Sequence, residues 1–173
     1  MHPGLSVTFT HASFEKQFDE LNSGQADIAL TAKPKQSYLG DLDYVHVQDD
    51  FYSFCMCVDH PLAGEERLTP EMIRRYRVLS GRYPYLEVPF DESLAEYGIS
   101  TTTIEEEYGR EVRVDISNSE DLLVIHSQWS QPYRSLLAVV PSDIPAGSIG
   151  FIKRKEASHV AELFIASVLQ RTE

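Results

Sequence analysis

The chain has 173 residues, with 27 acidic and 15 basic side chains and a formal net charge of −12. This balance argues against direct binding to a phosphate backbone, because affinity for DNA rests on Lys and Arg neutralising phosphates. Cys55 and Cys57 are too few for a disulfide framework, and no apolar run approaches the roughly 20 residues that span a bilayer.

The length suits one domain or two small lobes. With no leader in view, the cytoplasm is the expected location. Residues 5–10 alternate apolar and polar with β-branched side chains, the pattern of a strand. Phe14, Phe18 and Leu21 then share one helical stripe, and Gly24 can stop that helix in the left-handed conformation. Residues 26–30 are nearly all apolar, which predicts a parallel strand covered on both faces and closing a βαβ unit. Thr31 falls at its carboxyl end, where ligands of open α/β sheets bind. A role in merely ending the strand explains Thr31 equally well.

Residues 44–47 and 51–58 read as two further strands. Thr69-Pro70-Glu71 reads as a helix start, with Thr69 capping and Pro70 in the first helical position. A strand over 76–81 runs into a proline-containing loop, and a helix over 91–97 is stopped by Gly98. Residues 99–107 fit strand or helix end. Residues 112–116 alternate as a strand. Ser117 and Glu120 have capping-box spacing, which predicts a helix over 121–126. Residues 136–140 and 149–153 read as strands joined by a proline loop. Ser158 caps a last helix whose buried face holds Val160, Leu163, Phe164 and Val168. Strands alternating with helices give an α/β class.

Ser80, Gly81 and Arg82 follow a strand at its carboxyl end, and Arg82 could hold a carboxylate in a bidentate fork. A solvated loop arginine is the plainer reading. Ser117, Asn118 and Ser119 stand where free N–H groups at a helix start attract an anion, and ordinary capping accounts for them as well. Cys55 and Cys57 fall on one face of a strand. Two thiolates do not make the usual four-ligand zinc site, so they read as small buried hydrophobes. His126 near Trp129 reads as a helix-end residue. Arg74, Arg75 and Arg77 read as a solvated face or a subunit contact. No nucleophile–base pair or metal set stands out, so neither catalysis nor a cofactor is expected.

In order, His2-Pro3-Gly4-Leu5, the helix, the run ending Gly24-Gln25-Ala26-Asp27-Ile28-Ala29-Leu30, and Asp59-His60-Pro61-Leu62-Ala63 resemble the effector-binding domain of LysR-type transcriptional regulators. Ser117-Asn118-Ser119 and the stretch from Leu136 through Ile149-Gly150-Phe151-Ile152-Lys153-Arg154-Lys155 continue the resemblance. It implies a two-lobed fold like type II periplasmic binding proteins, with mixed sheets and helices on both faces. The lobes would comprise 1–53 with 135–173, and 54–134. It also implies a small-molecule effector, a carboxylate among the candidates, contacting Thr31, Ser80, Gly81, Arg82, Ser117, Asn118 and Ser119. The partners it implies are a second copy, as homodimer or tetramer, and DNA only through an N-terminal winged helix-turn-helix. A stand-alone solute-binding protein of related fold is the alternative. The chain departs from the family in three places. No helix-turn-helix precedes residue 1, and the first strand and helix of lobe one are missing. Between His126 and Leu136, where the family has a Gly-x-Gly strand, a proline and a helix, there are only residues 127–135, without glycine. A truncated sequence is the favoured explanation.

Overall fold

The computed structural model of the chain describes residues 6–104 and 120–170. It is a mixed α/β structure of two compact units. The first holds residues up to 48 and from 148 on, and the second holds residues 49–147. The strand expected over 112–116 and the capping box at Ser117 lie outside the described residues.

In the first unit, helix α1 runs Phe14–Ser23. Ser13 caps it, its Oγ accepting the Lys16 N–H at 3.3 Å. Gly24, at φ 76°, ends it with its own N–H donating to Leu21 O. Arg154 Nη1 donates to Leu21 O at 2.6 Å and Ala26 O at 3.0 Å, so a cation sits at the electronegative end of the helix. Strand β1, Ile28–Ala32, and the short α2, Gln36–Leu39, follow. Strand β2, Leu42–Met56, starts in this unit, and strand β6, Ala138–Arg154, ends in it. The order here is β1–β6–β2. The last helix, α5, runs His159–Leu169 from the predicted Ser158 cap, whose Oγ accepts the Ala161 N–H at 3.2 Å. Leu21, Leu39, Leu42 and Ile152 form the core.

Three expectations are corrected in this unit. Residues 6–10 have no regular structure and are exposed, Phe9 to 83%. Alternation alone does not make a strand when no neighbouring strand supplies a ladder for its backbone groups. β1 is antiparallel to β6, not parallel, and is covered incompletely: Leu30 is 51% exposed while Thr31 is 5% exposed. α5 buries Ala161 and Ile165 rather than Val160, which is 54% exposed.

In the second unit, α3 runs Pro70–Ile73, β3 Arg77–Gly81, α4 Phe90–Ala95, β4 Thr101–Ile104 and β5 Asp121–His126. Their strand order is β2–β5–β3–β4. β5 is antiparallel to β2, and β3 is parallel to both β4 and β5. Arg77 and Asp121 are register partners at the start of β3 and β5. Their side chains also pair in a bidentate fork, Nε to Oδ1 at 2.9 Å and Nη2 to Oδ2. Arg77 is therefore a structural cation rather than part of a free basic face. Cys55, Leu79, Leu123 and Ile125 form the core, so Cys55 behaves as the buried hydrophobe expected of it.

The helix expected over 121–126 is a strand. All six of its residues are buried. A short continuous apolar run carries no periodicity that separates a covered strand from a buried helix, and here neighbours on both sides supply the ladder. Two short 3-10 turns, Ser127–Trp129 and Gln131–Ser135, follow it. The strands expected over 44–47 and 51–58 are one strand, β2. Those expected over 136–140 and 149–153 are likewise continuous as β6, which carries Pro141 and Pro145. Proline enters a strand where its missing N–H removes no ladder bond. Pro141 serves instead as an acceptor, taking the Leu68 N–H at 2.8 Å.

Candidate functional site

Because β3 is parallel to both β4 and β5, the carboxyl ends of all three point the same way. This is the end at which α/β sheets leave room for ligands. Register places Ser80 opposite Thr103 and Gly81 opposite Ile104. Past Gly81 the chain turns, with Leu86 N–H donating to Tyr83 O at 3.2 Å. It returns at Pro89, whose carbonyl accepts the Ser93 N–H at 3.0 Å as α4 begins. Residues of the turn and of the start of α4 together line a groove of about 370 Å³. Ser80, Gly81, Arg82 and Thr103 line it, together with Phe90, Asp91 and Glu92 from the start of α4.

The groove has an aromatic wall. Tyr83 and Phe90 meet edge to face, with centroids 5.4 Å apart and planes at 71°. Tyr83 also lies over Gly81 so closely that a Cβ there would come within 2.6 Å of its ring. Glycine is what this approach requires.

Behind Phe90 lies a buried polar pair. His126, the last residue of β5, is the register partner of Tyr52 on β2. Asp50 lies two residues earlier on β2, on the same face. His126 Nδ1 is 2.9 Å from Asp50 Oδ2, and both side chains are at most 3% exposed. The imidazole is boxed by Trp129, Phe90 and Tyr52 at centroid distances of 4.9, 5.3 and 5.8 Å. Among the described residues, His126 Nε2 has no hydrogen-bond partner. Burial pushes the Tyr52 phenol up to about 12. Among the described residues, no three His, Cys, Asp or Glu side chains converge as metal donors.

Of the residues singled out in the sequence, Ser80, Gly81 and Arg82 come together as consecutive liners of the groove. Thr31 belongs to the other unit, buried near the end of β1 and paired with Gly150. Ser117, Asn118 and Ser119 lie outside the described residues. Sequence reasoning passed over Tyr83, Phe90, Asp91, Glu92 and Thr103, which register and loop closure bring to the groove. Pro84 and Pro89 were the visible signal, because they fix the turn. Asp50 fell between the two strands expected over 44–47 and 51–58, which the structure joins, and His126 was read onto a helix.

Comparison with known proteins bears on the whole chain. A family model described as the LysR substrate binding domain matches residues 1–107. The sequence matches no curated protein. Among solved structures, CbnR, a LysR family transcriptional regulator, superposes with a TM-score of 0.68 at 12% identity. That match covers 95% of this chain and 58% of CbnR. HinK, a LysR family regulator from Pseudomonas aeruginosa, gives 0.67 at 13% identity, covering 99% and 61%. The effector binding domain of QuiR, solved in complex with shikimate, gives 0.64 at 15%, covering 95% and 80%. The chain therefore spans about three fifths of the two regulators first named. At these identities the likeness shows the fold, that of LysR effector-binding domains.

Proposed function

The chain belongs to the LysR substrate-binding-domain family, and from that premise we propose that it is the effector-sensing part of a LysR-type transcriptional regulator. In this reading it binds a small molecule and passes the event to an N-terminal winged helix-turn-helix that holds the DNA. The family match over residues 1–107 carries the reading, since that stretch includes β3 and all the residues that line its groove. The acidic balance supports it, because a chain at −12 is ill suited to hold DNA by itself.

Ser80, Gly81 and Arg82 contact the effector in this reading. The effector acts only through its differential affinity for two conformations, since equal affinity shifts nothing. The role is recognition, not turnover. The protein works in the cytoplasm as a homodimer or tetramer. Consistent with a place away from the bilayer, no helix among the described residues is long and apolar enough to cross a membrane.

A thermal-shift screen of carboxylates, amino acids and aromatic acids tests the proposal. A ligand bound only by the native state raises the melting temperature by an amount that grows with its concentration. The hit should then change operator binding by the full-length gene product. Failure of every compound to shift melting, together with an open reading frame that carries no helix-turn-helix, would overturn it.

A further inference from the structure

The groove at the end of β3 carries both signs of charge. Arg82, Asp91 and Glu92 all line it, and all three are exposed. Among the described residues, no ion pair joins Arg82 to either carboxylate. The first turn of α4 is a favourable place for Asp91 and Glu92 on dipole grounds alone. The dipole does not account for a cation lining the same groove. The edge-to-face pair of Tyr83 and Phe90 lines the same groove and gives it an aromatic wall, with Phe90 itself mostly buried. Ser80 and Thr103, register partners on β3 and β4, add hydroxyls to its lining.

Taking the effector reading as its premise, we infer that this groove selects a zwitterion bearing an aromatic ring, that is, an aromatic α-amino acid. Its carboxylate meets Arg82, for which a planar guanidinium is the suited partner. Its ammonium meets Asp91 and Glu92. Its ring lies against Tyr83 and Phe90. The charge count favours a zwitterion over a simple acid. The rim holds one cation against two anions, on a chain whose net charge is −12. A bare carboxylate would gain Arg82 and meet two uncompensated negative charges, whereas an ammonium group turns that repulsion into attraction. The volume of about 370 Å³ lies at the small end of ligand pockets, as a single amino acid needs.

Isothermal titration of the chain with L-phenylalanine and L-tyrosine tests this. The controls are 3-phenylpropanoate, which lacks the ammonium, phenethylamine, which lacks the carboxylate, and L-alanine, which lacks the ring. The amino acids should bind at least tenfold tighter than any control. Arg82→Gln should lower their affinity at least tenfold. Asp91→Asn with Glu92→Gln should lower it similarly while narrowing the preference over 3-phenylpropanoate. All three are exposed residues, so unchanged melting of the unliganded variants separates lost binding from lost folding. Equal binding of 3-phenylpropanoate and L-phenylalanine would overturn the zwitterion assignment, as would no binding of either amino acid at millimolar concentration. The effector reading is judged separately. Another compound that stabilises the chain and loses its effect in Arg82→Gln would leave that reading and this groove standing while ending the amino-acid assignment.

Discussion

His126 Nδ1 lies 2.9 Å from Asp50 Oδ2, across adjacent strands and out of contact with solvent. The contact exists because β2 and β5 are antiparallel, with Tyr52 opposite His126 and Asp50 two residues away on the same face. Removing one partner leaves the other buried and unsatisfied, which costs more than the hydrogen bond itself contributes. Asp50→Ala should lower unfolding free energy by about 2–3 kcal/mol. A double-mutant cycle with His126→Ala in urea should give a coupling of about 1 kcal/mol or more. Additive losses would show that the two side chains are only neighbours.

A second histidine sets a pH dependence. His60 Nδ1 accepts the Leu62 N–H at 3.1 Å, and its ring packs on Tyr76 with centroids 4.6 Å apart. Burial lowers its proton affinity below the ordinary histidine value, outweighing Glu120, which acts in the opposite direction. Protonation at Nδ1 would also break the Leu62 contact. The unfolded chain therefore takes up this proton before the folded one does. This contribution to stability is complete above the ordinary histidine value, near pH 6.5, and is lost as pH falls toward the lowered folded value. Urea midpoints should decline from pH 8 to pH 5, and His60→Gln, less stable at pH 8, should decline less steeply over that range.

What the sequence made legible follows from how local each signal is. Gly24, Pro70 and Ser158 act within one turn of helix, so the end of α1 and the starts of α3 and α5 could be read from them directly. The strand ending at Gly81 was read from its flanks, and with it three residues of the groove. β5 was misread because Asp121-Leu-Leu-Val-Ile-His126 is covered on both faces. Its identity is set by β2 and β3, which lie 44 or more residues away in the chain. The same distance hid the Asp50–His126 pair, which exists only once antiparallel register is known. Residues 6–10 show the converse: a strand pattern with no neighbour to complete it. The opposing charges of Arg82 and Asp91 were each visible, but a nine-residue separation through two prolines gives no sign that they face one groove.

The two cysteines should differ in reactivity. Burial pushes the Cys55 thiol up to about 12, only partly opposed by Arg134, so almost no thiolate exists at neutral pH. Cys57, one residue beyond the end of β2, is only half-buried. With a chromogenic disulfide reagent at pH 8, one thiol should react in the native protein and the second only as the protein unfolds. Cys57→Ser should remove the native phase, whereas Cys55→Ser should leave it intact. Two fast equivalents would contradict the burial of Cys55.

Gly81 tests how tightly the groove is built. A methyl group placed there would come within 2.6 Å of the Tyr83 ring, so the ring must swing away from its contacts with Phe90 and Tyr85. The backbone of Gly81 is not in the left-handed region, so the strain is contact with one side chain rather than dihedral. Gly81→Ala should therefore destabilise by about 1 kcal/mol, at the low end for overpacking, because an aromatic ring at a groove edge can rotate. Tyr83→Ala removes the obstacle, and in that background Gly81→Ala should cost nothing or stabilise slightly by restricting the unfolded chain. Tyr83→Phe should give no relief, since ring carbons as well as the hydroxyl make the contact. Urea denaturation of the four variants measures all of this, and a Gly81→Ala cost that survives Tyr83→Ala unchanged would mean that the backbone, not the ring, demands glycine.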